Sequence, residues 1–278
     1  MTALIMGVVN VTPDSFSDGG RFLDAEAAVA HGLRLRSEGA AILDVGGEST
    51  RPGAERVTPE VEQERVLPVI AELTRQGAVV SIDTLNASTA AAAVSAGARL
   101  VNDVSGGLAD PDMLAAVAAS GADVVLGHWR GPSSDMYARA RYDDVVGEVV
   151  AELGARMDAA THSGIPPARV LVDPGIGFGK RGEQNWATLR GLSRIVAMGP
   201  RVLVGTSRKR FLAESLADDP GDASVERRDL ATAVTSVLAA QVGVWGVRVH
   251  DVAATRDALL IAERWKGDHR WTSPIASR

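Results

Sequence analysis

Short apolar runs alternate along the chain with longer amphipathic stretches. Eight runs are rich in Val, Ile and Leu and show little alternation between apolar and polar residues: Leu4–Val9, Ala41–Val45, Ala78–Ile82, Arg99–Val101, Asp123–Leu126, Val170–Val172, Val202–Val204 and Val244–Val249. Continuous apolar runs of this length are typical of strands that are buried on both faces, as in a parallel sheet. The pattern therefore predicts eight buried parallel strands.

The stretches between these runs carry helix signals. The clearest start is Thr58, a capping residue that is followed by Pro59 at the first helical position. Pro68 lies inside this stretch, and we expect it to bend the helix or delay its start. The predicted helices are Leu23–Ser37, the stretch that begins at Thr58, Tyr142–Ser163, Gln184–Ala197, Ser224–Val242 and Val252–Trp265.

Eight strand–helix units of about 35 residues fit a (β/α)8 TIM barrel in number and total length. No linker rich in Pro, Gly or Ser divides the sequence, so we predict an α/β protein with a single domain over residues 1–278. The polar residues 266–278 are expected to form a loosely ordered tail. The alternative fold is an open doubly wound sheet, but the first run ends in Asn10-Val11-Thr12-Pro13 and lacks the G-x-G-x-x-G turn.

The composition of the chain excludes or disfavours several classes of function. The chain has 35 acidic and 29 basic residues and a net charge of -6, which disfavours general binding to nucleic acids or anionic membranes. Because the chain has no cysteine, disulfides, thiolate zinc sites, iron–sulfur clusters and cysteine nucleophiles are excluded. No segment is as apolar as a membrane span, and the first residues lack the basic region of a signal peptide, so we expect a cytoplasmic protein.

Polar side chains stand where nearly every apolar run stops. In a barrel the carboxyl ends of all strands lie at one face, which is the face that holds active sites. Any single residue of this set could simply cap the next helix, but so many ends are harder to explain by capping alone, and Arg and His are poor caps. The residues are Asn10, Asp44, Asp83, Asn102, Asp103, His128, Asp173, Ser207, Arg248 and His250.

The loops add candidate chemistry. Segments 10–20 and 46–53 combine Gly with charged residues, and such loops can close over a ligand. After the seventh strand, Arg208, Lys209 and Arg210 stand at the start of a helix, where cations oppose the helix dipole unless an anion lies nearby. The alternative for these three residues is a solvated basic turn.

The segment 173–180 is rich in glycine but does not have the spacing of a Walker A motif, so binding of a nucleoside triphosphate is disfavoured. Asp83 and Asp173 would place carboxylates in a pocket, and carboxylates need hydrogen-bond donors. A heterocycle with N–H groups along one edge would supply such donors.

Seven motifs of this sequence resemble the dihydropteroate synthase family in the family's order, along about 250 residues: MGVVNVTPDSFSDGG, DVGGESTRPGA, SIDT, NDVSGG, DPGIGFGK, GTSRKRF and RVHDV. The resemblance implies a (β/α)8 barrel that joins p-aminobenzoate to 6-hydroxymethyl-7,8-dihydropterin diphosphate and releases diphosphate in folate biosynthesis. It also implies a magnesium ion and a homodimer formed through the outer helices Ser224–Val242 and Val252–Trp265.

The resemblance also implies roles for individual residues. Lys209 would donate to the pterin carbonyl and ring nitrogen, in a pocket formed with Asp83, Asn102 and Asp173. The residues implied for the diphosphate site are Asn10, Arg248 and His250, with Asn10 also a magnesium ligand. The residues implied for two mobile loops that stabilise a pterin methylene cation are Asp18, Thr50 and Arg51, and those implied around p-aminobenzoate are Phe16, Pro52, Phe178 and Arg210.

Three positions depart from the family pattern. Gly127 stands before His128, where the family often has methionine, and Leu85-Asn86 stands where an arginine often follows the SIDT motif. Lys180-Arg181 replaces a common Lys-Thr pair, and we expect no consequence from that change.

Two other hypotheses compete with an active synthase: a non-catalytic relative that binds a pterin or acts as a scaffold, and a related barrel that transfers a methyl group from a folate to a corrinoid. The retained Asp18, Thr50, Arg51 and Lys209 favour an active synthase, as do the two loops, for which a methyl transfer has no use. Diphosphate release that depends on both substrates would separate the three hypotheses.

Overall fold

The computed structural model describes residues 3–12, 20–48, 56–132, 135 and 137–267, and side chains within 20–24 are left aside. The predicted tail therefore lies outside the described residues beyond Gly267. Among the helices of the described part, none is long and apolar enough to cross a membrane.

Eight parallel strands form a closed barrel in sequence order, since β1 pairs with both β2 and β8. The strands are β1 Leu4–Asn10, β2 Ile42–Gly46, β3 Val80–Asp83, β4 Leu100–Asp103, β5 Asp123–Gly127, β6 Val170–Asp173, β7 Arg201–Val204 and β8 Gly246–Val249. The predicted (β/α)8 barrel is confirmed, and each predicted apolar run contains one strand or overlaps it.

Helices cover the outside of the barrel. Within the described residues they are α1 Gly20–Glu38, α2 Pro59–Arg75, α3 Ala87–Ser95, α4 Met113–Ser120, α5 Val145–His162, α6 Gly182–Arg190, α7 Leu192–Val196, α8 Arg210–Leu216, α9 Val225–Gln241 and α10 Val252–Trp265. The α2 helix begins at Pro59, where the Thr58 side chain accepts from the Val61 N–H at 3.4 Å. Pro68 lies within this helix and does not delay its start.

The predicted helix Gln184–Ala197 is in fact divided into α6 and α7 at Gly191. A Cβ at Gly191 would lie 2.6 Å from both γ-carbons of Val146, so glycine allows α5 to pack closely here. Because glycine is a weak helix former, the helix breaks at this residue. The helices α3 and α4 were not expected from the pattern, because their Ala-rich sequences favour a helix but lack contrast between an apolar and a polar face.

The apolar core has two parts. A large cluster lies between the strands and the surrounding helices. A small layer fills the barrel itself and consists of Met6, Ile42, Leu100, Val125, Leu171 and Leu203. This layer closes the lumen, as is usual in this fold, and any pocket must lie above it, toward the carboxyl ends of the strands.

Gly127, where the family often has methionine, allows a close approach of two backbone segments. A Cβ at this position would lie 2.4 Å from the carbonyl oxygen and 2.6 Å from the Cα of Val104. We expect Gly127→Ala to destabilise the protein by about 2 kcal/mol, because backbone must move to admit the methyl group. At about 2–4 °C per kcal/mol, calorimetry should show a clearly lower melting temperature.

Gly154→Ala is the matched control for this prediction. Gly154 lies inside α5 with nothing within 4 Å of its Cβ position. Alanine should therefore stabilise the helix there by about 0.5–1 kcal/mol. Equal melting temperatures for the two variants would contradict the steric argument.

Candidate active site

A layer of polar side chains lies directly above the apolar layer in the barrel. Side chains in a strand alternate between the two faces, so the second residue after a lumen residue also faces the lumen. Asp44 follows Ile42 in this way, Asn102 follows Leu100, and Asp173 follows Leu171. The register pairs Asp83 with Asn102, which brings β3 into the same layer.

The guanidinium of Arg248 joins three strands of this layer. Its Nε donates to Oδ2 of Asp44 at 2.6 Å, and its Nη2 donates to Oδ2 of Asp83 at 2.6 Å. The Asn102 amide donates to the same Oδ2 of Asp44 at 2.9 Å. Two carboxylates, one amide and one guanidinium thus form a buried network from β2, β3, β4 and β8.

Burial and charge oppose each other in this network. Burial raises the pKa of Asp83, and the neighbouring Arg248 lowers it while the Asp44 carboxylate raises it further. For Arg248, burial disfavours the charge, but Asp44 and Asp83 together hold its pKa above the ordinary value. The guanidinium therefore stays charged, and the strongest charge–charge attraction in the network is between this cation and its two carboxylates.

Asp173 ends β6 and Lys209 follows β7 at the same end of the barrel, and we call the region bounded by these two residues and the Arg248 network the pocket. The Gly175 N–H donates to Oδ1 of Asp173 at 2.7 Å, and the Lys209 ammonium donates to the Ile176 carbonyl. Burial raises the pKa of Asp173, and the positive charge of Lys209 opposes this. Burial likewise lowers the pKa of Lys209 to about 8, against the attraction of Asp173.

Lys209 and Arg248 lie close to each other on either side of Gly205. A Cβ built on Gly205 would lie 3.7 Å from Cβ of Arg248 and 3.9 Å from Nζ of Lys209. The Lys209 ammonium also lies 4.7 Å from the centre of the Phe178 ring. The absence of a side chain at Gly205 thus leaves space between two cations and beside an aromatic ring.

Ser207 holds His250 through two contacts. The Ser207 hydroxyl oxygen accepts from the His250 backbone N–H at 3.0 Å, and it lies 2.8 Å from Nδ1 of the His250 ring. A hydroxyl group can donate one hydrogen bond and accept two, so it serves either tautomer of the ring. When the hydroxyl donates to Nδ1, the ring proton is on Nε2, and Nε2 is then a hydrogen-bond donor.

The three adjacent cations after β7 point to three different partners. Arg208 has a left-handed backbone conformation (φ 57°) and forms a two-pronged ion pair with Asp229 at 2.7 and 2.9 Å. Lys209 points into the pocket, as described above. Arg210 is 73% exposed and pairs with Glu214 at 2.9 Å. Of the three, the structure therefore directs Lys209 alone into the pocket.

Comparisons with known proteins agree with this geometry. The family model described as "Pterin binding enzyme" matches residues 6–250. A dihydropteroate synthase of Mycobacterium leprae is 54% identical over 94% of this chain and 93% of its own length. A structure of Xanthomonas albilineans dihydropteroate synthase with 4-aminobenzoic acid is 46% identical, with a TM-score of 0.87 over 98% of this chain and 94% of that one. A second structure of that enzyme, in complex with 7,8-dihydropteroate, has a TM-score of 0.84.

The chain belongs to the dihydropteroate synthase family. It is a transferase of folate synthesis that condenses p-aminobenzoate with 6-hydroxymethyl-7,8-dihydropterin diphosphate to give 7,8-dihydropteroate and diphosphate. The hypothesis of a synthase, made from seven sequence motifs, is confirmed, and a corrinoid methyltransferase is disfavoured.

The structure brings most of the described candidate residues to one face of the barrel. Those that contact or surround the pocket are Asp83, Asn102, Asp173, Phe178, Lys209, Arg248 and His250. Asn10 ends β1 at the same face. Arg210, implied near p-aminobenzoate, is instead exposed and paired with Glu214. The candidate residues that lie outside the described residues are Phe16, Asp18, Thr50, Arg51 and Pro52.

Asp44 stands at a strand end in the sequence but was not among the predicted site residues, and the structure places it in the polar layer. It is fully buried and holds both Arg248 and Asn102. Its position two residues after the lumen residue Ile42 is the signal that could have identified it. Asp103, by contrast, holds the loop that follows β4, because its carboxylate accepts from the N–H groups of Ser105 and Gly107; it does not cap α4, which begins at Met113.

Asn86 stands where the family often has an arginine, and the side chain of another arginine lies against it. Arg56 donates to the side-chain oxygen of Asn86 at 2.8 Å, and the Asn86 amide donates to the buried carboxylate of Glu62 at 2.7 Å. Arg56 also lies 3.4 Å from the carboxylate of Glu48. A guanidinium from the end of the second loop thus occupies the surroundings of residue 86.

We expect Asp44→Asn to destabilise the protein by about 3 kcal/mol, because the change leaves Arg248 with one buried carboxylate and turns an amide N–H toward other donors. Urea unfolding should measure this loss. The control is Asp123→Asn at the opposite end of the barrel, where Asp123 pairs with Arg201 at 2.7 Å and both side chains are about one-third exposed. A loss of at most about 1 kcal/mol is expected there, and equal losses in the two variants would refute the role of the buried network.

Proposed function

We propose that Asp173 and Lys209 recognise the dihydropterin ring of the substrate. The observation that carries this proposal is that one loop orients both groups: the Gly175 N–H donates to Oδ1 of Asp173, and the Lys209 ammonium donates to the Ile176 carbonyl. An ionised Asp173 can accept from the ring N3–H and the 2-amino group together, a two-pronged arrangement that favours a planar edge. Lys209 would donate to the ring carbonyl and ring nitrogen, and Asn102 and Asp83 would complete the pocket.

The anion of the substrate is proposed to lie at Arg248 and His250. The guanidinium is charged, and in the tautomer proposed here the Ser207 hydroxyl donates to Nδ1 of His250, so that the Nε2–H of the ring is a donor. Both groups supply hydrogen bonds that strengthen as charge accumulates on the departing diphosphate. When the C–O bond breaks, its electron pair goes to the bridging oxygen, and the cations stabilise that charge.

Members of this family use a divalent cation, and we propose that it is magnesium with Asn10 as a ligand. Within the described residues, no three His, Asp or Glu side chains gather as a ligand set, so the donors fit an ion held mainly by substrate oxygens. Asn10 is half-buried at the end of β1 and offers one amide oxygen. Mg²⁺ accepts such a ligand beside waters and phosphates, and the bound ion would neutralise charge on the diphosphate.

The two N-terminal loops are proposed to act after the C–O bond of the pterin diphosphate has broken. By resemblance, Asp18 would stabilise the pterin methylene cation, and Thr50 and Arg51 would hold the diphosphate. The amine of p-aminobenzoate then attacks the methylene carbon and loses one proton, so no covalent enzyme intermediate is needed. The residues proposed around p-aminobenzoate remain Phe16, Pro52, Phe178 and Arg210, the last with a rotation away from Glu214.

The affinity for the pterin alcohol, 6-hydroxymethyl-7,8-dihydropterin, should fall at both low and high pH, which gives the pH profile an acidic limb and an alkaline limb. Burial raises the pKa of Asp173, so affinity should fall as pH decreases through that value and the carboxylate gains a proton. Burial lowers the pKa of Lys209 to about 8, so affinity should also fall as pH rises through about 8 and the ammonium loses its proton. Each limb is limited to about tenfold per pH unit, because one proton is linked to binding. Calorimetry between about pH 5 and 9 would measure the profile.

Two variants identify the groups behind the limbs and separate them from the titration of the ligand itself. Lys209→Met should remove the alkaline limb. Asp173→Asn should remove the acidic limb and weaken binding by about 2–4 kcal/mol, since an N–H then faces the ring donors. Parent-like affinity in the Asp173 variant, or profiles identical to the parent in both variants, would show that the ring binds elsewhere.

An exposed apolar surface on α9 and α10 supports the proposal of a homodimer. On α9 the residues Leu230, Val234 and Leu238 recur every four positions, Val242 follows at the C-cap with the same spacing, and all four are exposed, which places them along one helix face. On the adjoining α10, Ile261 and Trp265 are exposed with the same spacing, and Trp265 is 90% exposed. Large apolar patches of this kind usually mark protein–protein contacts.

We expect Val234→Glu to convert the dimer to a monomer at micromolar concentration, because a carboxylate would be buried in the centre of the apolar surface. Sedimentation velocity would measure this. Val79→Glu is the control, since Val79 is an exposed valine immediately before β3, away from α9 and α10. A parent protein that sediments as a monomer, or a Val234 variant that stays dimeric, would remove this surface from consideration.

A cytoplasmic location is also proposed. The absence of cysteine from the chain is compatible with a reducing compartment.

A further inference from the structure

Lys180 is a buried cation that the proposed reaction does not use. Its side chain is 1% exposed, and its ammonium has three neighbours that accept hydrogen bonds: Nδ1 of His128 at 2.8 Å, the Gly175 carbonyl at 3.0 Å and the Phe178 carbonyl at 3.3 Å. An ammonium has three donors and no acceptor, so every one of its hydrogens has a partner. Burial lowers the pKa of Lys180 to about 7, and the Asp173 carboxylate opposes that change.

The two carbonyls belong to one short loop, residues 174–179, that also forms part of the pocket. On its other side, this loop accepts from Lys209 through the Ile176 carbonyl, and its Gly175 N–H donates to Asp173. The loop therefore lies between two ammonium groups, with Lys209 in the pocket and Lys180 behind it. Three of its glycines have positive φ angles of 64°, 82° and 58°, so its own backbone restricts it little.

His128 connects this lysine to α5. Since Nδ1 accepts from the ammonium, the ring proton is on Nε2, which lies 2.9 Å from Oε2 of Glu152. Burial and the charge of Lys180 lower the pKa of His128 to about 4, in agreement with a neutral ring that accepts at Nδ1. Glu152 in turn pairs with Arg130.

The same network reaches the end of the loop through Tyr142. The guanidinium of Arg130 lies 3.8 Å from the centre of the Tyr142 ring, and the Tyr142 hydroxyl donates to the Gly179 carbonyl at 2.9 Å. Side chains behind the pocket thus hold three carbonyls of the glycine-rich loop, those of Gly175, Phe178 and Gly179.

We propose that Lys180 is a positioning residue for pterin recognition: with Tyr142, it fixes the carbonyls of loop 174–179 so that Asp173 and Lys209 are held at the separation that the pterin edge requires. The proposal rests on the pterin-binding role proposed for Asp173 and Lys209. Lys180 does not itself touch the substrate, because the loop separates its ammonium from the pocket. It acts on the ring through the Gly175 N–H, which orients Asp173, and through the Ile176 carbonyl, which orients Lys209.

The test is Lys180→Met, which keeps the length of the side chain and removes the three donors. We expect the dissociation constant of the pterin alcohol, measured by calorimetry, to rise at least about tenfold. The KM for the pterin diphosphate should rise similarly, while kcat at saturating substrates changes less than about threefold. A variant that only lowers the melting temperature, with parent-like pterin affinity, would overturn the proposal.

Arg169→Met is the matched control. Arg169 also holds backbone carbonyls, those of Ala122 at 2.9 Å and Val117 at 3.0 Å, but it precedes β6 at the opposite end of the barrel. We expect a lower melting temperature with a pterin dissociation constant within about twofold of the parent. An equal loss of pterin affinity in the Lys180 and Arg169 variants would show that the loss comes from general destabilisation, and it would overturn the proposal.

A double-mutant cycle with Asp173→Asn shows whether Lys180 acts through Asp173. The effect of Lys180→Met on pterin affinity should fall to less than about threefold in the Asp173→Asn background, whereas independent effects would multiply and contradict the proposal. If Asp173→Asn alone leaves pterin affinity unchanged, the proposed pterin site fails. If Asp173→Asn weakens binding but Lys180→Met does not, the site stands and the positioning proposal fails.

If Lys180→Met does not fold, Tyr142→Phe is the variant that tests the proposal. This change removes one hydrogen bond to the same loop and leaves every buried charge paired. We expect about threefold weaker binding of the pterin alcohol and a nearly unchanged kcat. Parent-like binding in a folded Tyr142→Phe protein would overturn the proposal.

Discussion

The ion pairs between Arg248 and the carboxylates of Asp44 and Asp83 hold together the polar layer on which the pocket is built. They tie β8 to β2 and β3 across the top of the barrel, and the Asn102 amide adds β4. Buried charges are costly unless they are paired, so these side chains have few alternative arrangements. The pocket therefore begins from a fixed frame, whose cation is already oriented before any substrate arrives.

The other side of the pocket is built from a segment with little stiffness of its own. The glycines of loop 174–179 allow its carbonyls to turn toward cations on both sides, which a chain of bulkier residues with negative φ could not do. Order in this segment comes from the side chains that surround it, chiefly Lys180 and Lys209. One part of the pocket is thus a rigid set of paired charges on β2, β3 and β8. The other part is a glycine-rich loop whose conformation is fixed by the side chains around it.

Glycines at two positions leave room for charged side chains at the carboxyl end of the barrel. Gly46 lies beside Asp83 and Gly205 beside Arg248 and Lys209, so the charged groups can converge without a side chain between them. At Gly127 the same lack of a side chain serves packing of the backbone against Val104. A methionine at this position, common in the family, would require a different path of the chain after β4.

The amino-acid sequence by itself determined the barrel, its single domain and the face at which the candidate polar residues meet. Runs of Val, Ile and Leu with polar residues at their ends are local patterns, and eight of them in series leave few folds that bury all strands on both faces. The motifs likewise identified the family, because they name residue types in order. Weakly patterned helices such as α3 were missed, since alanine carries helix preference without showing which face is buried.

Only the tertiary structure decided which of the polar residues act together. Arg208, Lys209 and Arg210 are neighbours in sequence and left open a nearby anion or a solvated basic turn, yet they point to Asp229, the pocket and Glu214. Asp44 and Arg248 are 204 positions apart and form an ion pair at 2.6 Å. The physical reason is that barrel closure and strand register fix the direction of each side chain, and both depend on contacts between residues that are distant in the sequence.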